Sequence, residues 1–280
     1  MNHTYSHLSL DAPATASQIS SEINQNNTFA RNVPFSNYSR DSLVQPDISG
    51  LTNPAFYQAA RSTGLRYGIT DTSQLGWNNP SPNAGFHPAL SPSFLLIPRH
   101  PTNLFYNLST PAEWVSEFNY YYGPGGVWAY YNHALTYPEI LDVESDAMLK
   151  YLLKWDIDPL MFHIPNFRAY DGVHSLFGDL VNATLAKYNA AERLPIRNLS
   201  EHNIGVQMTN RMSYNTAGVT ASLVPCTSLT ITATRATTVS VTGVTYSSGD
   251  NSSYETYGGQ RISHIRLNAG QSVTVPTTVC

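Results

Sequence analysis

Residues 42–70 read SLVQPDISGLTNPAFYQAARSTGLRYGIT, and this stretch indicates the fold class. Residues 42–44 and 65–70 are apolar runs of the length and composition that predict strands. Between them, Asn53 can cap a helix that has proline at its first position and ends at Gly64. A strand, a helix and a second strand in this order form the unit that parallel α/β folds repeat. We therefore expect an α/β fold.

The remaining chain divides into a helix-containing part and a β-rich part. Hydrophobic spacing and capping residues predict helices over 15–31, 110–122, 136–153 and 175–189, and strands over 94–97, 160–163 and 195–199. Residues 76–93 are rich in Pro, Gly and Asn and predict a long loop. After about residue 217, Val, Thr and Ser alternate between turn residues, which predicts a small all-β module. We expect domains over 1–216 and 217–280.

Composition narrows the possible partners. The 280 residues are 41% hydrophobic and 12% charged, with a net charge of −4. The basic residues are scattered, which argues against nucleic acid as a partner. No stretch approaches the roughly 20 apolar residues of a membrane helix, and the N-terminus lacks the apolar region of a signal peptide. Abundant tyrosine (18) and scarce lysine suit a secreted protein that contacts sugars.

Two further features mildly favour an extracellular protein. Seven N-x-[ST] sequons occur, at Asn2, Asn26, Asn37, Asn107, Asn182, Asn198 and Asn251. The two cysteines, Cys226 and Cys280, bracket the C-terminal segment, as a disulfide closing a small module would. Two free thiols are the alternative.

The chain begins with a metal-binding spacing. His3-Thr4-Tyr5-Ser6-His7 places two imidazoles four residues apart, and neutral imidazole is a common ligand of Zn²⁺. A catalytic zinc site usually takes three protein ligands, and only two residues precede this motif. The pattern predicts a metallohydrolase site in a chain that begins partway through its fold, whereas two surface histidines are the simpler alternative.

Other polar side chains follow the predicted strands. In parallel α/β sheets, functional groups gather where strands end. Asp47 follows the strand at 42–44, Asp71 follows 65–70, Arg99 follows 94–97, and His163 ends the strand at 160–163. We expect them on one rim with His3 and His7. Asp71 could equally form a turn, Asn166 could shape a loop, and His163 could be a core histidine.

Four segments together carry a family resemblance. They are H-T-x-x-H at 3–7, P-D-I-S-G-L at 46–51, P-R-H-P-T-N-L-F-Y-N at 98–107 and M-F-H-x-x-N at 161–166. Over roughly residues 3–216 the chain resembles the secreted exopolysaccharide deacetylases of carbohydrate esterase family 18, in the polysaccharide deacetylase superfamily. The resemblance implies a partial, distorted (β/α) barrel followed by a small all-β, sandwich-like module.

The resemblance also implies roles for individual residues. His3 and His7 would bind Zn²⁺ or another divalent transition metal, and His163 would protonate the leaving amine. Apart from the resemblance, Asp47, Asp71, Arg99 and Asn166 are the candidates to line a substrate cleft, and Arg99 could orient the base. The superfamily takes its third ligand and general base from two adjacent aspartates upstream of H-T-x-x-H. No residues stand there in this sequence, so we expect an N-terminally truncated chain with impaired activity.

The expected function is hydrolysis of N-acetyl groups on an N-acetylgalactosamine-containing exopolysaccharide of a biofilm or cell wall, by a secreted, monomeric glycoprotein. Alternatives are a non-catalytic carbohydrate-binding cell-wall protein and a metal-dependent amidase. A glycosidase could use the acidic residues Glu139, Asp142, Glu144 and Asp146, which favourable charge at a helix N-terminus explains equally. The aromatic residues Trp128, Tyr130 and Tyr131 could stack on sugars or anchor a loop.

Overall fold

The computed structural model of the chain describes residues 1–33, 35, 37–73, 83–246, 252–277 and 279–280. These residues form a mixed α/β structure, as predicted. The helices are α1 (Ala16–Asn32), α2 (Pro54–Thr63), α3 (Pro111–Tyr122), α4 (Tyr137–Leu153), α5 (Leu176–Ala191) and α6 (Glu201–Thr216). The strands are β1 (Ser42–Leu43), β2 (Tyr67–Ile69), β3 (Leu95–Ile97), β4 (Val219–Val224), β5 (Ser228–Ala233), β6 (Thr237–Thr242), β7 (Ser252–Tyr257), β8 (Gln260–Leu267) and β9 (Ser272–Pro276).

Capping residues explain where the predicted helices begin and end. The Thr15 hydroxyl accepts the Gln18 N–H to start α1, and Thr110 accepts the Glu113 N–H to start α3. Asn53 caps α2, which ends at Gly64 with φ of 79°. A residue with a Cβ rarely adopts that left-handed conformation, so the glycine terminates the helix cleanly. The predictions for α1 to α5 are confirmed to within about two residues at each end.

The first sheet is small and parallel where its pairing is defined. Its strand order is β1-β2-β3, and β1 pairs in parallel with β2. Asn2 adds a parallel bridge to Leu43 on β1. Helices α1 and α2 pack against each other. The rings of Phe56, Tyr57 and Phe94 form a buried aromatic cluster with centroids 5.0 to 5.8 Å apart.

The predicted elements and the structure differ at three places. Residues 160–163 contribute a single parallel bridge, between Leu160 and His100, rather than a strand. Pro159 and Pro165 flank this segment and lack the N–H groups that a ladder needs. The strand predicted over 195–199 is wrong, because this segment has no regular structure. Helix α6 was not predicted. Of the predicted loop at 76–93, residues 76–82 lie outside the described residues.

The C-terminal residues form two antiparallel sheets with strand orders β4-β5-β9 and β6-β8-β7. Side chains of both sheets share one buried cluster: Ile231, Ala233, Val239, Val244, Ile265, Leu267 and Val275. Cys226 and Cys280 form a disulfide that closes this region.

The chain contains two compact units. The first comprises Met1–Gly68, Asn83–Ile97 and Leu194–Cys280, and the second the described residues of Ile69–Pro82 and Pro98–Arg193. Each has a core of its own; in the second it includes Trp114, Phe118, Ile140 and Leu180. The domain boundary between residues 216 and 217 stays a prediction. Within the described ranges, no helix has both the length and the apolarity required to cross a bilayer.

Candidate functional site

The segment that carries His3 starts from a strand-like pairing. The Asn2 N–H donates to Ser42 O at 3.1 Å, and the Val44 N–H donates to Asn2 O at 3.0 Å. The buried Asn2 side chain donates to Ile23 O on α1 and accepts the Thr4 N–H. Backbone pairing on one side and a buried amide on the other therefore fix the chain just before His3.

The turn between the two histidines is held by one carboxylate. Glu22 on α1 accepts the Tyr5 N–H at 2.9 Å, the Ser6 N–H at 2.7 Å and the Ser6 hydroxyl at 2.8 Å. Thr4 and His7 have φ values of 57° and 60°, a conformation that L-residues adopt only when contacts of this kind hold them. The two histidines are thus presented by a fixed turn.

The two imidazoles lie side by side at the protein surface. Their ring centroids are 4.9 Å apart and the planes meet at 77°. His3 Nδ1 lies 2.7 Å from Val44 O. Because a carbonyl only accepts, Nδ1 carries the hydrogen, and the neutral ring has its lone pair on Nε2. A backbone carbonyl behind Nδ1 is the usual support of a metal-binding histidine.

The described residues do not supply this pair with a third ligand of the usual kind. Among them, His3 and His7 belong to no group of three His, Cys, Asp or Glu ligand atoms lying within 4.8 Å of one another. Asp47, one of the predicted rim residues, is exposed at a φ of 51° in the 3₁₀ turn Pro46–Ile48. The pair therefore offers two imidazole ligands, and its role in a metal site stays a prediction.

A second group of possible metal ligands lies in the second unit. His100, Asp156 and Asp158 place one ligand atom each within 4.8 Å of one another. His100 Nε2 is 3.1 Å from Asp156 Oδ2 and 3.8 Å from Asp158 Oδ2. The two carboxylate side chains are only 2% and 3% exposed. Buried carboxylates are stabilised by hydrogen-bond donors or by a positive charge beside them, which a bound metal ion could supply.

The His100 ring is also fixed from its other sides. It stacks on Tyr151 with centroids 4.1 Å apart, and its Nδ1 lies 3.4 Å from the Thr72 hydroxyl. Its backbone bridges to Leu160, which brings the segment after β3 alongside the segment after Asp158. Sequence analysis missed this group. The D-x-D spacing at Asp156 and Asp158, directly before a proline, was the available signal.

His163 sits at the start of a 3₁₀ helix, Ile164–Phe167. The fully buried Asn166 accepts the His163 N–H at 2.8 Å and donates to Phe105 O and Leu108 O. The half-buried His163 ring faces the exposed Tyr106, with centroids 6.2 Å apart. Asn166 therefore fixes the backbone that carries His163. His163 belongs to the second unit, and His3 and His7 to the first.

The remaining predicted cleft residues, Asp71 and Arg99, lie just after β2 and β3. The Arg99 N–H donates to Thr70 O, and Arg99 O accepts the Thr72 N–H. The buried Asp71 carboxylate accepts the N–H and hydroxyl of Ser73, at 2.8 and 2.6 Å, which is the bonding of a turn-forming aspartate. Their roles in a cleft stay predictions.

Three comparisons place the chain among known proteins. The family model of the Agd3 deacetylase domain matches residues 1–222. The crystal structure of Agd3, described as a novel carbohydrate deacetylase, aligns with a TM-score of 0.80 at 21% sequence identity. The alignment covers 99% of this chain and 44% of that one, so the chain spans less than half the length of the solved protein. At this identity the likeness shows the fold. The comparison with curated proteins gave no match.

Proposed function

Because the chain belongs to the Agd3 deacetylase domain family, we propose that it is a metal-dependent N-deacetylase of an amino-sugar exopolysaccharide. One observation carries the proposal. The H-T-x-x-H turn holds His3 and His7 with ring centroids 4.9 Å apart, and the Val44 carbonyl bound at His3 Nδ1 places the lone pair of that ring on Nε2. Two neighbouring imidazoles of this kind suit a divalent metal ion.

The finer architecture is part of the same proposal. The parallel pairing of Asn2, β1 and β2 supports a partial, distorted (β/α) barrel in which the motif follows a strand. The two three-stranded antiparallel sheets with a common core support a small sandwich-like module at the C-terminus. Both sheets bury one face, as the layers of a sandwich do.

The chain's own residues fit the chemistry of amide hydrolysis. When bound, a divalent metal would polarise the acetamide carbonyl and acidify a water molecule. His3 and His7 would hold that metal, while Glu22 and Val44 keep the two rings in position. The amine is a poor leaving group and must be protonated as it departs. We assign this proton to His163, an assignment that rests on the M-F-H-x-x-N motif.

The group of His100, Asp156 and Asp158 is a second place where a metal could bind. One imidazole and two carboxylates also suit a divalent cation, including Zn²⁺. The H-T-x-x-H motif favours the His3 and His7 pair for the catalytic metal. The His100 group then has a structural role, in which the ring or a bound ion compensates two buried carboxylates.

The proposal is tested with the full chain on an N-acetylgalactosamine oligomer in added Zn²⁺. Because the described residues give the histidine pair no third His, Cys, Asp or Glu ligand, we expect weak acetate release that a chelator abolishes. We expect His3→Ala and His7→Ala to lower both that release and the Zn²⁺ bound per chain. His163→Ala should lower acetate release roughly 100-fold or more with metal binding unchanged. His87→Ala is the matched control, because His87 Nδ1 also bonds a backbone carbonyl, Phe94 O, at 2.8 Å.

Other results would favour the alternatives. Acetate release that is indifferent to chelator and to His3→Ala would overturn the metal-dependent mechanism. Sugar affinity without acetate release, surviving both changes, would indicate a carbohydrate-binding protein. New reducing ends without acetate would indicate a glycosidase.

We also propose that the protein acts outside the cell, as an amino-sugar polymer requires. The Cys226–Cys280 disulfide suits an oxidising compartment. Four sequon asparagines are exposed and open to glycosylation: Asn37, Asn107, Asn182 and Asn198. Asn2 is fully buried and hydrogen-bonded, so its sequon should remain unmodified. Mass spectrometry of the protein secreted from a eukaryotic host tests both statements.

A further inference from the structure

A cavity of about 280 Å³ opens in the second unit. Helix α3, the loop after it and helix α4 form its walls. The lining side chains are mostly aromatic, with one amide and one carboxylate: Phe118, Tyr122, Trp128, Tyr130, Tyr131, Asn103 and Glu144. The volume lies near the lower end of the range for small-molecule sites, so the cavity suits a single sugar ring.

The carboxylate in this cavity is buried and held in one orientation. Glu144 on α4 is 8% exposed, and its Oε1 accepts a hydrogen bond from Asn103 Nδ2 at 2.8 Å. Asn103 is itself fixed, since its Oδ1 accepts the Tyr122 hydroxyl and its carbonyl accepts Trp114 Nε1–H, both at 2.8 Å. Burial raises the pKa of the Glu144 carboxyl, and the Asn103 donors partly oppose that rise.

The aromatic residues at the cavity are solvent-exposed yet rigidly supported. Trp128 is 61% exposed and Tyr130 is 78% exposed. The Trp128 ring stacks on Tyr121 with centroids 5.0 Å apart and planes 20° apart. The Trp128 N–H donates to Tyr121 O and the Tyr131 N–H to Tyr122 O, so the loop is bonded along the end of α3. Fixed, exposed aromatic rings beside a cavity are typical of a binding surface.

The charge in this cavity lacks an internal counterion. No Lys, Arg or His stands among the described residues that line it. A buried carboxylate without a cation is costly to the fold, and a ligand cation can offset that cost. Aromatic faces attract the same kind of ligand through cation–π interaction. Together, Glu144 and the surrounding rings match an ammonium group carried on a ring that stacks on aromatic side chains.

We propose that this cavity binds a protonated amino-sugar unit, the kind of residue that N-deacetylation of the polymer produces. Glu144 pairs with the ammonium group, while Trp128 and Tyr130 pack against the sugar ring. The choice of an amino sugar rests on the proposed function. With this site, the protein retains polymer that already carries free amines. Acetylated units have no charge and bind weakly in this cavity.

Ligand comparison with the unmodified full chain is the first test. Galactosamine, galactose and N-acetylgalactosamine are titrated at pH 7 while tryptophan fluorescence and ligand-observed NMR are recorded. We expect galactosamine to bind at least about 10-fold more tightly than the two neutral sugars, which equals the 1.4 kcal/mol of one modest charged contact. Equal affinity for all three sugars, or binding of none, overturns the proposal.

Variants then test which residues of the cavity bind galactosamine. Glu144→Gln keeps an acceptor for Asn103 and removes the charge, and should weaken galactosamine binding about 10-fold. Trp128→Ala should weaken it several-fold and abolish the fluorescence change. The matched controls are Glu139→Gln, on the same helix outside the cavity, and Trp155→Ala, an exposed tryptophan that does not line it. Unchanged binding by Glu144→Gln, with circular dichroism confirming its fold, overturns the proposal.

These results separate this inference from the proposed function. Acetate release without selective galactosamine binding would leave the deacetylase assignment standing and refute the cavity's role. Selective binding that Glu144→Gln abolishes, without acetate release from any polymer tested, would support the cavity and count against the catalytic assignment.

Discussion

Asp156 and Asp158 place two carboxylates beside a single imidazole, that of His100. Their side chains are almost fully buried, and His100 is 14% exposed. Bringing these three residues together requires the chain to return after 56 residues. The sequence showed His100 without a motif partner, because nothing local indicates which distant carboxylates will face a given ring.

His100→Ala should therefore destabilise the protein markedly. The variant removes the ring whose Nε2 lies 3.1 Å from the buried Asp156 carboxylate, and leaving a buried polar group without its partner typically costs about 1–3 kcal/mol. The free energy of unfolding is measured by urea titration. The control is His133→Ala, whose ring is 59% exposed, so we expect a change within about 0.5 kcal/mol. A His100→Ala protein as stable as the control would show that the ring does not stabilise the two buried carboxylates.

Glu144 is a residue whose burial the sequence did signal. Ile140, Glu144 and Met148 are spaced four apart, so the glutamate lies on the apolar stripe of α4. Its acidic neighbour Glu139 is different: the Thr136 hydroxyl and N–H lower the pKa of Glu139 to about 2. The two carboxylates differ in position, because Glu144 lies on the apolar stripe of α4 and Glu139 does not. Their charge, by which both were glycosidase candidates, does not distinguish them.

The contributions of these two carboxylates to folding stability should depend on pH in opposite ways. The folded-state pKa of Glu144 is raised, so its ionisation opposes folding above that pKa. Glu144→Gln should raise stability at pH 7, and the gain should vanish below the unfolded pKa of about 4.3. Glu139 has a lowered pKa, so its contribution is present above about pH 4.3 and is lost as pH falls through about 2. Unfolding midpoints of both Gln variants against pH check these signs.

At the scale of elements, helix α6 shows where local patterns were insufficient. Its sequence EHNIGVQMTNRMSYNT is largely polar, and only Ile204, Met208 and Met212 repeat every four residues. The Ser200 side chain caps its first turn. The sequence reading assigned a strand to 195–199 and left this segment without an element. A strand needs a neighbouring strand to pair with its backbone groups. Residues 195–199 form no such pairing with the described residues, and Pro195 O accepts the Tyr257 hydroxyl instead.

Gly205 on α6 gives a test of how closely this helix packs. An added Cβ would lie 2.4 Å from Cδ1 of Tyr67 on β2, far inside normal contact distance. Alanine normally stabilises a helix relative to glycine by roughly 0.5–1 kcal/mol. Overpacking of a buried site typically costs about 1–3 kcal/mol, so the cost of the clash should exceed the gain in helix propensity. We expect Gly205→Ala to lower the free energy of unfolding.

The control for Gly205→Ala is a double variant. Adding Tyr67→Leu removes the ring that the new methyl group meets, so the coupling energy between the two changes should be favourable. Additive effects of the two substitutions in urea unfolding would contradict the proposed contact.

At the scale of the whole molecule, the chain contains two compact units, each with its own buried cluster. The first joins three stretches that are distant in sequence, including the N-terminal parallel strands and the C-terminal β-strands. Helix α6 packs on β6 inside this unit. Near residue 217 the sequence changes from helical patterns to alternating Val, Thr and Ser, which marks where helices end and strands begin. This change does not reveal which segments share a core.

A substitution that destabilises one unit should reduce amide protection mainly within that unit. The Cys226–Cys280 disulfide links residues 54 apart, and chain-entropy arguments give it roughly 4 kcal/mol of stabilisation. We expect Cys226→Ser with Cys280→Ser to reduce amide protection across β4 to β9, and His100→Ala to reduce it in α4 and α5. Hydrogen exchange read by mass spectrometry measures this. Equal loss of protection throughout the chain in both variants would show a single cooperative unit.

The sequence by itself determined the starts and ends of helices α1 to α5, the α/β class, the β-rich C-terminal region and the H-T-x-x-H spacing, because capping, periodicity and short motifs act within a few residues. Tertiary structure alone decided that the Val44 carbonyl supports His3, that Asp156 and Asp158 meet His100, and that Asn103 holds a buried Glu144. Those contacts depend on which distant segments the hydrophobic cores bring together, and on the removal of water around charges that occur in an unremarkable local sequence.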